Sequence, residues 1–335
     1  MLMPISRRSL IAGAAALPLV SIGRAQAAEF SYKLAHDLPR DHPLNVRSLE
    51  ACTRIREATG GKVEITVFPD SQLGSDIATL GKIRAGEVEF FSVPGLILSS
   101  LVPAASINGV GFAFKGYNQV WRAMDGKLGA FVSGEIGKFG IRTVGRVWNN
   151  GFRQSTSSVK PILTPDDMQG LKLRVPASPL STSLFKSLGA LPASLNLDLV
   201  YAALQRHDVD GQETPLALVQ AVKLYEVQGY CSLTYHMWDG YWLLANEGVW
   251  RGLPDRLRDI VEHEFDRSGQ DERNDLAKLD PNLRGDLAMT GLKFNAVDAA
   301  PFQQVLQRAG FYADWRGKYG DAAWSVLEDY TGALS

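Results

Sequence analysis

Apolar and polar positions in this chain repeat at two periods, and the two alternate along the first third of the sequence. Val63, Ile65 and Val67 alternate with Glu64 and Thr66, the two-residue repeat of a strand with one buried face. Before it, 43–59 predicts a helix, with Pro43 near its start, Leu49, Cys52 and Ile55 on one face, and Gly60-Gly61 as its stop. A strand is expected at 30–35, and another at 88–92. Between the second and third strands, Ser75 or Asp76 can cap a helix running towards Ala85. The order β-α-β-α-β is that of a mainly parallel sheet covered by helices. The second half repeats the style, with a strand at 171–175 and helices at 181–188 and 198–205. Pro254 suits the first turn of a long helix reaching about 278, with Leu257, Ile260, Val261 and Phe265 as its apolar stripe.

The N-terminus sets the compartment. Arg7 and Arg8 open a basic region, an apolar run follows over 10–22, and Ala25-Gln26-Ala27 supplies a cleavage word. The apolar run is shorter than the ~20 residues of a membrane span. Residues 1–27 therefore read as an export signal, and Ser6-Arg7-Arg8-Ser9-Leu10-Ile11 fits the twin-arginine type, with an ordinary Sec signal as the alternative. The mature protein is expected in the periplasm, not itself membrane-spanning. Its loss of Arg7, Arg8 and Arg24 and of no acid takes the formal charge from −1 to −4. A mildly acidic chain without a basic block argues against nucleic acid as partner. About 310 mature residues exceed one comfortable core, so two lobes are the natural arrangement. Cys52 and Cys231 read as free, buried thiols, too few for a disulfide scaffold.

Few residue patterns offer chemistry. Gly109-Val110-Gly111 lacks the third glycine of a dinucleotide loop, and no CxxC, HExxH or GxSxG occurs. His36, Asp37, Asp41 and His42 share a loop around Pro39 with no geometry converging the imidazoles, so neither metal nor cofactor is expected. Tyr235, His236, Trp238, Tyr241 and Trp242 form an aromatic cluster that suits either a pocket wall or core packing at a hinge. Two arginines stand out. Arg174 sits in the short strand KLRVP, held before Pro176, where a rigid guanidinium suits bidentate binding of a carboxylate. Arg153 follows Asn149-Asn150-Gly151, a turn-prone run that predicts a strand edge beside a crevice. An arginine paired to a structural acid is the alternative for both.

The words GFRQST around Arg153, PDDMQGLKLRVP around Arg174 and VYAALQ…VDGQE over 200–213 resemble the solute-binding proteins of TRAP transporters, the DctP-like family. Weaker echoes are KLAHDLPRDHP, TVFPDSQLGSD and LTYHMWDGYWLLAN, so the likeness covers most of the chain. The resemblance implies an α/β, two-lobed periplasmic-binding-protein (Venus-flytrap) fold with a long helix spanning both lobes. By analogy lobe I comprises 28–149 plus 239–279, and lobe II 150–238 plus 280–335. It implies a receptor and no enzyme: a small-molecule carboxylate bound between the lobes and delivered to the integral membrane subunits of a TRAP transporter. Arg174 would fix the carboxylate, with Arg153 and Thr214 beside it and Asn150, His36, Asp37, Trp238 and Tyr241 as further ligand-binding candidates. The family word commonly ends in asparagine where Thr214 stands, and Leu197 replaces the aromatic of sialic-acid receptors. The smaller Thr214 favours a monocarboxylate with an apolar body, or a hydroxy- or oxo-acid, over a compact C4-dicarboxylate. A periplasmic, twin-arginine-exported enzyme and a receptor for an ABC-type importer are the rival readings.

Overall fold

The computed structural model describes residues 27–334, so all but the last residue of the expected export signal lies outside the described residues. Eleven strands lie within them: β1 Phe30–Ala35, β2 Val63–Phe68, β3 Phe90–Pro94, β4 Ile141–Thr143, β5 Trp148–Ser157, β6 Lys172–Val175, β7 Leu191–Ser194, β8 Gly211–Pro215, β9 Tyr230–Leu233, β10 Trp238–Asn246 and β11 Lys293–Ala296. β1 pairs in parallel with β2 and β3, and β6 in parallel with β7 and β8. These are the two parallel blocks that the alternating periods predict, one in each lobe of a two-lobed α/β fold.

Two antiparallel strands join the blocks. Trp148 to Phe152 of β5 lie against the start of β10, while Arg153 to Ser157 pair with β8. β10 runs on to pair with β3 and β4. The expected turn at Asn149-Asn150-Gly151 is therefore strand. Gly151 (φ 117°) and a bulge at Asp239/Gly240 absorb the irregularity inside the sheet instead.

The helix Asp255–Met289 spans 35 residues, past the expected end near 278 and through Pro281, with Pro254 just outside its first turn. An internal proline costs about 3 kcal/mol. Burying Leu283 and Leu287 beyond it returns about 1.5–3 kcal/mol each, which outweighs the proline. The long helix touches both halves of the molecule. Arg47 and Arg54 of the helix Pro43–Ala58 pair with its Asp275 and Glu264 at 2.6 Å. Its Leu276 and Leu283 pack with Ala217, beyond β8.

Two further expectations shift. Leu49 is half-exposed, and Leu44, Ser48, Ala51, Cys52 and Ile55 form the buried face of its helix instead. The strand expected at 88–92 begins two residues later, after Gly86 (φ 75°) closes the helix Asp76–Ala85. The last helix, Asp321–Thr331, docks on the helices Tyr117–Met124 and Lys127–Gly137: Gln119 Nε2 donates to the carbonyl of Tyr330, whose hydroxyl accepts from the Lys127 amide. Cys52 and Cys231 are both free and buried, and burial pushes each thiol up to about 12. Among the described residues no helix is long and apolar enough to cross a membrane.

Candidate functional site

Arg174 stands at the C-terminal end of β6, between the fully buried Leu173 and Val175, and is itself 2% exposed. Its Nε and Nη2 both donate to the carbonyl oxygen of Leu195, at 3.0 and 2.7 Å. That contact aims the guanidinium without neutralising it, and no carboxylate among the described residues forms an ion pair with it. Burial, then the neighbouring Arg153, brings its pKa down to about 10. Glu213, Asp37 and Asp76 offset this only in part. The result is a fixed, under-compensated cation, the chemistry of an anion site.

Arg153 is differently placed. β5 is an interior strand rather than an edge, with β10 on one side of this region and β8 on the other. The Arg153 side chain grips Glu213: Nε donates to Oε2, and Nη2 donates to Oε1 at 3.1 Å and to the backbone carbonyl at 2.8 Å. Its Nη1 lies 3.9 Å from Asp239 Oδ2. Burial alone would raise the Glu213 pKa, but Arg153 and His236 outweigh it and hold the carboxyl below its usual range. His236, driven down by burial, gives Nε2–H to Glu213 at 3.0 Å, and its Nδ1 lies 2.7 Å from Thr234 Oγ1. Arg153 thus has the structural partner that Arg174 lacks.

Thr214 and Asn150, both proposed from sequence, are buried, and Thr214 Oγ1 and Asn150 Oδ1 have no partner among the described residues. Asn149 is committed instead to the frame: its amide donates to Glu272 Oε2 and its Oδ1 accepts from Trp238 Nε1. Trp238 therefore packs in the core, edge-on to Trp121 at 5.4 Å, and its polar atom is already used.

Two further acids are buried: Asp37, two residues past β1, and Asp76, in the first turn of its helix. Tyr241 donates its hydroxyl to Asp37 Oδ1 at 3.1 Å, and Asp76 Oδ2 has no hydrogen-bond partner among the described residues. Burial raises Asp37 to about 6 and Asp76 well above its usual value. Both feel the charge of Arg174. Asp76, Glu213 and Asp239 were not singled out from sequence. Asp76 reads as a helix cap, yet Ser75 does the capping, with Oγ accepting from the Ala78 amide, so the carboxyl is left for other use.

His36 lies beside Asp37 but is spent on the loop: Nδ1 accepts from the Leu38 amide and Nε2 meets Asn45 Oδ1, both at 3.2 Å. Burial lowers it to about 4 and keeps it neutral. His42 caps the helix Pro43–Ala58, its Nδ1 accepting from Leu44 N. Among the described residues no three His, Cys, Asp or Glu side chains are grouped to hold a metal ion.

The chain matches the family model of the bacterial extracellular solute-binding proteins, family 7, over residues 34–311. It is 29% identical over 230 residues to the C4-dicarboxylate-binding protein DctB of Bacillus subtilis, covering 69% of this chain and 65%, just under two thirds, of that protein. Identity is also 29% with a solute-binding protein of Roseobacter denitrificans, over 303 residues that cover 89% of this chain and 92% of that one. A solved TRAP periplasmic solute binding protein from Sulfurospirillum deleyianum with bound succinate aligns at a TM-score of 0.85 and 28% identity, covering 90% of this chain and 99% of that chain.

Proposed function

This chain belongs to the bacterial extracellular solute-binding proteins of family 7, and on that premise we propose that it is the periplasmic receptor of a TRAP transporter. It captures an organic acid between its lobes and delivers it to the integral membrane subunits. It acts by binding alone, as its family does, and not as an enzyme.

The observation that carries this reading is the contrast between the two buried arginines. Glu213 compensates Arg153, whereas Arg174 keeps its charge and is steadied only by the Leu195 carbonyl. A buried guanidinium in that state gains most from a ligand carboxylate. Arg174 is the anchor, Arg153 supplies a second positive charge held in place by Glu213, and Thr214 and Asn150 offer unpaired polar atoms at the same site. The lobe boundaries that go with this reading are 28–149 plus 239–279 and 150–238 plus 280–335, with 321–331 reaching back to lobe I. The lobes close by bending β5 and β10, which run through both.

A thermal-shift screen of carboxylates tests the proposal. Ligand binding to the folded state alone raises the midpoint. Acids are expected to raise it and their amides are not. A panel in which neutral solutes stabilise the protein and no acid does would overturn the reading.

A further inference from the structure

We propose that the cavity between Tyr117, Phe152, Tyr235 and Asp280 is a second binding site, built for a small quaternary ammonium ion. It is separate from the carboxylate site. Phe152 leaves the opposite face of β5 from Arg153, and neither Arg153, Arg174 nor Glu213 lines the cavity.

The cavity holds about 290 Å³, the lower end of the range for small-molecule sites. Tyr117 and Phe152 lie 5.2 Å apart at 73°, and Phe152 and Tyr235 6.2 Å apart at 63°. All three rings line the cavity, so these steeply inclined pairs serve as adjoining walls rather than as a stack. Tyr235 is 51% exposed, and its backbone is in the left-handed region (φ 44°), where a bulky residue is strained. Its amide donates to Gln154 Oε1 at 3.0 Å, which fixes the turn that carries the ring. Strain held in place by its surroundings is a mark of sites that need a side chain presented in one position.

Asp280 supplies the charge. The long helix brings it to the cavity beside Pro281, and its Oδ2 accepts from the Tyr117 hydroxyl at 2.7 Å. No cation offsets the burial that raises its pKa. Arg284, one turn further along the same helix, is the natural partner within the chain, yet its guanidinium lies over the Phe294 ring, 5.9 Å from the centroid. A half-buried carboxylate without a cation favours a positively charged ligand. One carboxylate offers too few oxygens for a hard metal ion, which takes about six to eight. A quaternary ammonium fits better. It carries no N–H that would go unmet in the cavity, its methyl groups suit apolar walls, and the π-faces attract its charge. The same three rings also line an adjoining cavity of about 570 Å³, with Phe112, Phe114 and Val297, which has room for a tail on the ammonium. The two charged residues there, Lys115 and Asp298, are of opposite sign.

Titration calorimetry of the exported protein with choline, set against its neutral isostere 3,3-dimethylbutan-1-ol, tests the site. Choline is expected to bind about tenfold more tightly than the isostere, or better, since the two differ in charge and hardly in shape. Asp280→Asn should weaken choline about tenfold. Tyr235→Ala, which removes a half-exposed ring and spares the core, should weaken it about threefold or more, and it serves as the second variant should the first fail to fold. No heat from choline at about 20 mM, equal binding of choline and the isostere, or undiminished choline binding in Asp280→Asn overturns the site. Choline binding that appears only after Arg284→Gln overturns it too, because Arg284 then fills the cavity in the parent.

Discussion

Glu213 takes the Arg153 guanidinium on both of its carboxylate oxygens and again on its backbone carbonyl, so the most tightly held arginine of the cluster is the one already neutralised. This divides the labour between the two arginines. Arg153→Ala leaves Glu213 buried without its counter-charge, and breaking such a pair costs about 3–5 kcal/mol of stability. Arg174→Ala removes two hydrogen bonds to one carbonyl and relieves its repulsion with Arg153, a stability loss of about 1–2 kcal/mol. Its cost appears in binding instead, at about 2–5 kcal/mol, or roughly 30-fold to several-thousand-fold in affinity. Urea denaturation and calorimetry on both variants separate the roles. An Arg174→Ala protein that binds the acid within about threefold of the parent rules that residue out as the anchor.

Thr214 offers a cleaner probe because its hydroxyl has no partner in the fold. Thr214→Val keeps the shape and deletes a buried, unsatisfied polar atom, so unliganded stability should hold or rise. Affinity should fall by about 0.5–1.5 kcal/mol, a factor of roughly 2 to 13, if the hydroxyl meets the ligand. Equal affinity in parent and variant would remove Thr214 from the site.

The elements were far easier to read from sequence than the partners of the polar side chains. The strands at Phe30–Ala35 and Val63–Phe68 follow from local alternation, which needs nothing beyond the segment itself. Asn149-Asn150-Gly151 has the local chemistry of a turn, but pairing with β10 overrides it, and that strand is distant in sequence. The Glu213 partner of Arg153 is 60 residues away, and no period in the chain announces it. Asp76 was hidden for another reason: a Ser-Asp pair before a helix offers two caps, and only the fold decides that Ser75 is used. Arg174 was legible because Pro176 and the alternation around it already imply a rigid, inward side chain.

Gly240 sits at the bulge where β10 crosses β5. A Cβ there would lie 2.5 Å from the Trp238 ring, 2.6 Å from Val147 Cγ1 and 3.0 Å from the Trp148 carbonyl. The bulge between β5 and β10 therefore has no room for a side chain. Gly240→Ala is expected to destabilise the protein by about 1–3 kcal/mol through overpacking, measured as a lower urea midpoint. Unchanged stability would mean that the two strands can part at the bulge without cost.

His42 gives the fold a proton-linked weakness that can be isolated. Burial, with the neighbouring His36 adding to it, lowers its pKa from 6.5 to about 3. The folded chain thus keeps the ring neutral where the unfolded chain protonates it. The sign follows: stability from this group is complete above pH 6.5 and is lost as pH falls towards 3. Protonation would also remove the Nδ1 acceptor that caps the helix for Leu44 N. Asp37 and Asp239, raised to about 6 and 7 by burial, act oppositely and gain stability as pH falls through the same range. A difference between parent and variant cancels them. His42→Asn keeps a good helix cap and cannot take up the proton. Between pH 6.5 and 5.0 the parent should therefore lose about 1.6 kcal/mol more than the variant, since each pH unit well below 6.5 is worth about 1.4 kcal/mol per group and the unfolded ring is half protonated at the start. Urea denaturation of both proteins at the two pH values measures this, and parallel losses would show that His42 is not the titrating group.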